Sequence, residues 1–236
     1  MDEKEREKLL KKIEEYIEKI KEEPDNDIYY YNRGNTYYSL KEYEKATNDY
    51  NKAIELNPNN ASYYNNRGIS FNSLKEYEKA INDYNKAIEL NPSYALAYNN
   101  RGVSFYNLKR YDDAIANYNE AIKLNPDYVL AYNNRGNAFF YKKEYDKAID
   151  DYTEAIRLKP KEASYYNNRG NALNNSGKYE EAIKDYNKAI ELNPNKSSYY
   201  NSRGNALNNS GKYEEAIEDY DKAIALNSNY DYYYYN

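Results

Sequence analysis

Arginine recurs at Arg33, Arg67, Arg101, Arg135, Arg169 and Arg203, one every 34 residues. Guanidinium groups in such a row are suited to gripping phosphate or carboxylate, so the first question is whether they meet a ligand. A second set keeps the same period: Asp49, Asp83, Asp151, Asp185 and Asp219, with Asn117 in the remaining place. Arginine and aspartate on facing helices satisfy each other as charge-assisted pairs, and an asparagine still accepts a hydrogen bond. The ladder is therefore expected to be scaffold. The chain has 0 His and 0 Cys, which excludes Ser–His and Cys–His nucleophilic catalysis and most transition-metal sites. Phosphate-loop signatures are missing. Acidic pairs such as Glu180 and Glu181 read as a solvated helix face, and nothing places two carboxylates in an apolar pocket for acid–base work. The sequence predicts no enzyme, no metal and no cofactor.

The elements that position these groups share the period. Glycine stands at Gly34, Gly68, Gly102, Gly136, Gly170 and Gly204, and proline at Pro24, Pro58, Pro92, Pro126, Pro160 and Pro194. The remaining glycines, Gly177 and Gly211, are also 34 apart. Counting units as 27–60, 61–94, 95–128, 129–162, 163–196 and 197–230, position 4 is always tyrosine and position 8 always glycine. Position 11 is Tyr37, Phe71, Phe105, Phe139, Leu173 or Leu207, one helical face with the other two. Position 20 is alanine, 24 tyrosine and 27 alanine throughout. Each unit reads as two amphipathic helices joined by a short turn, with "LNP" ending the second. A helical glycine costs about 1 kcal/mol relative to alanine. Close approach of the two helix backbones at the small residues is expected to offset it.

This pattern resembles the tetratricopeptide repeat, or TPR, over residues 27–230. Two positions depart from the family pattern: tyrosine replaces tryptophan at position 4, and Ser228 replaces the last proline. The resemblance implies an all-α fold, a right-handed superhelical α-solenoid of antiparallel helix pairs with first helices lining a concave groove. Residues 1–26 read as a capping half-repeat, with Leu9, Ile13, Tyr16, Ile17 and Ile20 on one face. Residues 231–236 read as the truncated start of a seventh unit or a tail, with Tyr234 and Asn236 in phase. An end left uncovered there is expected to pair with another copy unless the natural protein continues.

Net charge is −5 with acids and bases interspersed, which argues against general affinity for nucleic acid or an anionic membrane. No apolar run is long enough to span a bilayer, and "MDEKEREKLLKKIEEYIEKIKEEP" is too charged for a signal peptide. With no disulfide-forming residue, a cytoplasmic location is the expectation.

The resemblance places positions 2, 5, 6, 9, 12 and 13 on the groove. Position 6 supplies Asn32, Asn66, Asn100, Asn134 and Asn168; position 5 supplies Asn65, Asn99 and Asn133; position 9 supplies Asn137 and Asn171. Tyr38, Tyr106, Phe140 and Tyr141 add aromatic anchors. The family's clamp for chaperone tails needs lysines and an arginine where Leu96 and Asn100 stand, so that ligand is excluded. The position-6 asparagines resemble the ladder by which the TPR superhelix of the O-linked GlcNAc transferase grips peptide backbone; no transferase domain is present. Primary amides both donate and accept, which suits the unpaired groups of an extended polypeptide. The expected function is a non-catalytic protein-interaction scaffold holding an extended peptide or partner segment. Self-association through repeat ends is the alternative, and single-stranded RNA binding a third that acidity weighs against.

Overall fold

In the computed structural model, which describes residues 2–232 and side chains as far as Asn227, the described residues form thirteen α-helices and no strand. A lone α1 (Glu3–Glu22) precedes six pairs: α2 (Asp27–Ser39) with α3 (Tyr43–Leu56), α4 (Ala61–Ser73) with α5 (Tyr77–Leu90), and α6 (Ala95–Asn107) with α7 (Tyr111–Leu124). The series continues with α8 (Val129–Tyr141) and α9 (Tyr145–Leu158), α10 (Ala163–Asn175) and α11 (Tyr179–Leu192), and α12 (Ser197–Asn209) and α13 (Tyr213–Tyr232). The chain is an all-α helical-repeat solenoid, divided into two compact units, Met1–Pro126 and Asp127–Asn236.

Local chemistry explains each boundary. Asn60 Oδ1 accepts the Ser62 N–H at 3.0 Å and caps α4. The helix ends in a Schellman turn, in which the Lys75 N–H meets Asn72 O at 3.0 Å and the Glu76 N–H meets Phe71 O at 2.8 Å. That turn needs a left-handed residue. Lys41, Lys75, Lys109 and Lys143 take it at φ 60–63°, while Gly177 and Gly211 take it at φ 81° and 82° without the Cβ penalty. The second helices that precede a proline end two residues before it. Asn91, ahead of Pro92, is already extended at φ −140°, ψ 88°, as proline's ring requires. Where Ser228 replaces proline that stop is missing, and α13 runs on to Tyr232. Residues 231–232, read as the start of a seventh unit or a tail, continue the last second helix; Tyr234 and Asn236 lie outside the described residues.

Inside the first five pairs the position-24 tyrosine is sealed: Tyr50, Tyr84, Tyr118, Tyr152 and Tyr186 are at most 2% exposed. Its ring lies against the glycine of the facing helix. A Cβ added at Gly102 would sit 2.6 Å from Tyr118 Cε1, and the other five glycines show 2.7–2.8 Å. The first expectation is thereby sharpened. The nearest obstacle is a tyrosine ring, and at Gly34 a backbone atom, Ala46 O, would also be close, at 3.3 Å.

Within each unit the backbones of successive first helices come within 8 Å of one another, whereas those of successive second helices do not. The first helices therefore lie on the inside of the curve. α1 packs on α2 through buried Ile13, with Leu9, Tyr16, Ile17 and Ile20 half-buried beside it. On α13, Ile217 and Ile224 are 59% and 65% exposed. At the same positions of α11, Ile183 and Ile190 are packed under neighbouring side chains.

An alanine normally improves a helix over glycine by about 1 kcal/mol. At Gly102 the ring of Tyr118 reverses the sign. Gly102→Ala is expected to lower stability by a net of about 1–2 kcal/mol, since overpacking costs about 1–3 kcal/mol. Urea denaturation checks this, and an unchanged or raised midpoint contradicts it.

Candidate functional site

The arginine ladder is internal. Arg33 donates from Nε and Nη2 to Asp49 at 2.8 and 2.7 Å, and Arg67 to Asp83 at 2.8 and 2.6 Å. Arg135, Arg169 and Arg203 hold Asp151, Asp185 and Asp219 in the same two-point geometry. A third donor, Nη1, reaches back to the preceding second helix: Arg67 to Asn51 at 2.7 Å, Arg169 to Thr153 at 3.0 Å, and Arg203 to Asn187 at 2.6 Å. One side chain thus joins three helices. Burial pushes the Asp83 and Asp151 carboxyls above their ordinary range against the pull of Arg67 and Arg135. The aspartates hold Arg33, Arg169 and Arg203 above the usual arginine value. The third repeat differs. Arg101 meets Asn117 Oδ1 at 2.6 Å and Asn85 Oδ1 at 2.7 Å, and burial lowers its pKa with no carboxylate opposing.

The amide face is more committed than the sequence suggested. Asn66 Nδ2 donates to Tyr31 Oη at 2.8 Å and Asn35 Oδ1 at 2.9 Å. Asn100 Nδ2 donates to Asn65 Oδ1 at 3.1 Å, and Asn168 Nδ2 to Asn133 Oδ1 at 3.0 Å. So position 6 of one repeat binds position 5 of the repeat before it. Ser202 breaks the rule, and Asn167 Oδ1 is left buried without a hydrogen-bond partner. Asn65 and Asn99 are 0% and 4% exposed. That corrects the expectation for these two: they support Asn66 and Asn100 from beneath, through bonds of 3.0 and 3.4 Å, and are closed to a ligand.

Position 9 also serves the core. The Tyr152 and Tyr186 hydroxyls donate to Asn137 and Asn171 Oδ1 at 2.7 and 2.8 Å, as Tyr50 and Tyr220 do to Asn35 and Asn205. The expected ligand amides Asn137 and Asn171 therefore have their carbonyl oxygens already engaged. The signal was present in the sequence, because a constant tyrosine needs an acceptor. Ile69 and Val103 occupy position 9 in the second and third repeats, and Tyr84 Oη is buried there without a partner.

The aromatic set lies on first helices, braced by the next helix. Tyr38 meets Tyr43 at 5.3 Å between ring centres, Tyr106 meets Tyr111 at 5.6 Å, and Phe140 meets Tyr145 at 5.6 Å. Tyr141 is 59% exposed beside Phe140. Asn32 and Asn134 are half-buried. Among the described residues no group of three or more His, Cys, Asp or Glu could hold a metal ion, and no helix is long and apolar enough to cross a membrane.

Comparison with known proteins gives a consistent result. The family profile described as Tetratricopeptide repeat matches residues 28–60, 95–128, 129–162, 163–196 and 197–230, and two further TPR profiles match 70–109 and 49–82. No curated protein sequence matches. Among solved structures, MamA from Desulfovibrio magneticus RS-1 superimposes with a TM-score of 0.68 at 21% identity, covering 72% of this chain and 96% of that one. YrrB, described as a TPR protein with an unusual peptide-binding site, gives 0.64 at 25% identity, covering 75% and 91%. The Cut9–Hcn1 hetero-tetramer gives 0.75 at 21% identity, covering 95% and 44%.

If the ladder is scaffold, removing one arginine strands a buried carboxylate. Arg135→Ala is expected to cost about 1–3 kcal/mol, because Asp151 is only 4% exposed. Partner binding should change little. Thermal melting and a binding titration on the same variant separate the two roles; intact stability with lost binding would make the ladder a ligand site.

Proposed function

The chain belongs to the tetratricopeptide repeat family, and from that premise we propose that it is a non-catalytic scaffold whose first-helix faces hold an extended polypeptide. The family's repeat fold is one of protein–protein interaction. The observation that carries the finer reading is the aromatic and apolar content of those faces. In the N-terminal unit Tyr38, Ile69, Val103 and Tyr106 lie at positions 9 and 12 of successive first helices. In the C-terminal unit Phe140 and exposed Tyr141 lie at positions 12 and 13 of α8. The peptide-binding site ascribed to YrrB supports the same use of the fold.

The amides take a smaller part. Asn32, Asn66, Asn100, Asn134 and Asn168 orient backbone groups of the ligand, helped by the free donors of Asn133, Asn137 and Asn171. Exchanging water for such a bond contributes only about 0.5–1.5 kcal/mol. Affinity therefore comes from the rings, and the favoured ligand is uncharged or mildly basic, given the net charge of −5. We place the binding partner among proteins, without a nucleic acid or membrane target.

The test is a pull-down with wild-type chain and with a Tyr106→Ala, Tyr141→Ala variant, followed by calorimetry on the recovered partner. Truncating two aromatic anchors is expected to cost about 2 kcal/mol or more, roughly a 30-fold loss of affinity. Full affinity in a folded variant would move the site off this face.

A second reading, self-association through the last repeat, rests on Ile217 and Ile224, which are 59% and 65% exposed on α13. Light scattering over a concentration series is expected to show mass rising above the monomer, and a further Ile217→Glu, Ile224→Glu variant should abolish the rise. A strict monomer at every concentration removes this reading.

A further inference from the structure

In five repeats the ladder arginine closes both Nε and Nη2 on one aspartate carboxylate. In the third, Asn117 occupies that place. Its Oδ1 takes the Arg101 Nε–H at 2.6 Å, while its amide nitrogen turns away to donate to Asp113 O at 2.7 Å. Arg101 Nη1 is used by Asn85 Oδ1 at 2.7 Å. Nη2 meets no acceptor among the described residues. A half-buried guanidinium thus faces no paired carboxylate, and both N–H groups of Nη2 are without an acceptor among the described residues.

We propose that Arg101 is a docking point for a carboxylate side chain of a partner protein, on the outer side of the N-terminal unit between α5 and α7. Three observations support the place and the chemistry. Arg101 bonds both to α5, through Asn85, and to α7, through Asn117, so it lies between them. The Cα traces of these second helices stay more than 8 Å apart. In the fifth repeat the corresponding arginine, Arg169, lines an open cleft of about 370 Å³ with Ile149, Thr153 and Lys184, which shows that this place on the ladder can be approached from solvent. In the third repeat Ala116 stands where Lys184 does, and Phe105, with Arg110 over its ring at 4.5 Å, stands where Leu173 does.

The sister repeats identify what neutralises this guanidinium: a single carboxylate. An arginine fork matches that group in shape as well as charge. Phosphate is less suited, because the sister repeats seat a planar, singly charged carboxylate at this fork. The site is independent of the first-helix faces, so its failure leaves the peptide reading intact.

The probe is blocked glutamate, N-acetyl-glutamyl-methylamide, added to the ¹⁵N-labelled full chain at constant ionic strength. The arginine Nε–H resonances report, with Arg101→Lys identifying the Arg101 signal. A saturable shift of that signal is expected with blocked glutamate, with the response to blocked glutamine about tenfold weaker or less. Asn117→Asp restores the sister-repeat carboxylate, should fold at least as well as wild type, and should weaken the response about tenfold or more. No saturable shift at Arg101, a response that survives Asn117→Asp unchanged, or tighter binding of inorganic phosphate than of glutamate would each overturn the proposal.

Discussion

In every repeat a tyrosine ring from the second helix rests against a glycine of the first, and that contact sets how closely the pair can pack. A Cβ at any of the six glycines would lie within 2.6–2.8 Å of the ring, closer than atoms can sit without displacement. The same residue has a polar end. Its hydroxyl crosses to the first helix and needs an acceptor in a setting that burial has dried. Burial raises the tyrosine pKa in several repeats, Tyr84 and Tyr118 among them. The acceptor sits at position 9, which belongs to the inner face. A core requirement thereby dictates part of the chemistry presented to a ligand, and Ile69 and Val103 are the places where that requirement is relaxed.

The arginine–aspartate pairs act one level up. The tyrosine–glycine contact fixes a helix pair, whereas each guanidinium joins its own second helix to the one before it, as Arg67 does through Asp83 and Asn51. Repeats cannot bury their faces alone and gain stability from neighbours. A fork with five donors is suited to such a junction, because it can satisfy a carboxylate and still span to a third helix. Burying the carboxylate would be unfavourable without it.

Much of this was legible in the sequence because period exposes partnership. Arg33 and Asp49 could be paired on paper since their equivalents recur together five times over, and the glycine could be explained by the large and small residues sharing its phase. Burial of individual amides was not legible. Asn65, Asn99 and Asn133 are the same residue at the same repeat position, yet the first two are closed to solvent and the third is half-buried. Small differences in how repeats stack decide that, and no residue type encodes them. The extension of α13 was legible in principle, since Ser228 lacks the ring that ends the other second helices.

The inner face is therefore a polar network before it is a binding surface. Asn66 already uses its two amide hydrogens, on Tyr31 and Asn35, and its oxygen accepts from Asn65. A ligand group that approached it would have to displace a bond that holds two repeats together, and the exchange would return little free energy. The rings act through apolar surface instead. Tyr106 and Phe140 are braced by Tyr111 and Tyr145, so they are held in place before a ligand arrives and little conformational entropy remains to be lost on binding. On this face the asparagines join successive first helices, and in the proposed function it is the aromatic side chains, presented at that spacing, that select the segments of a partner.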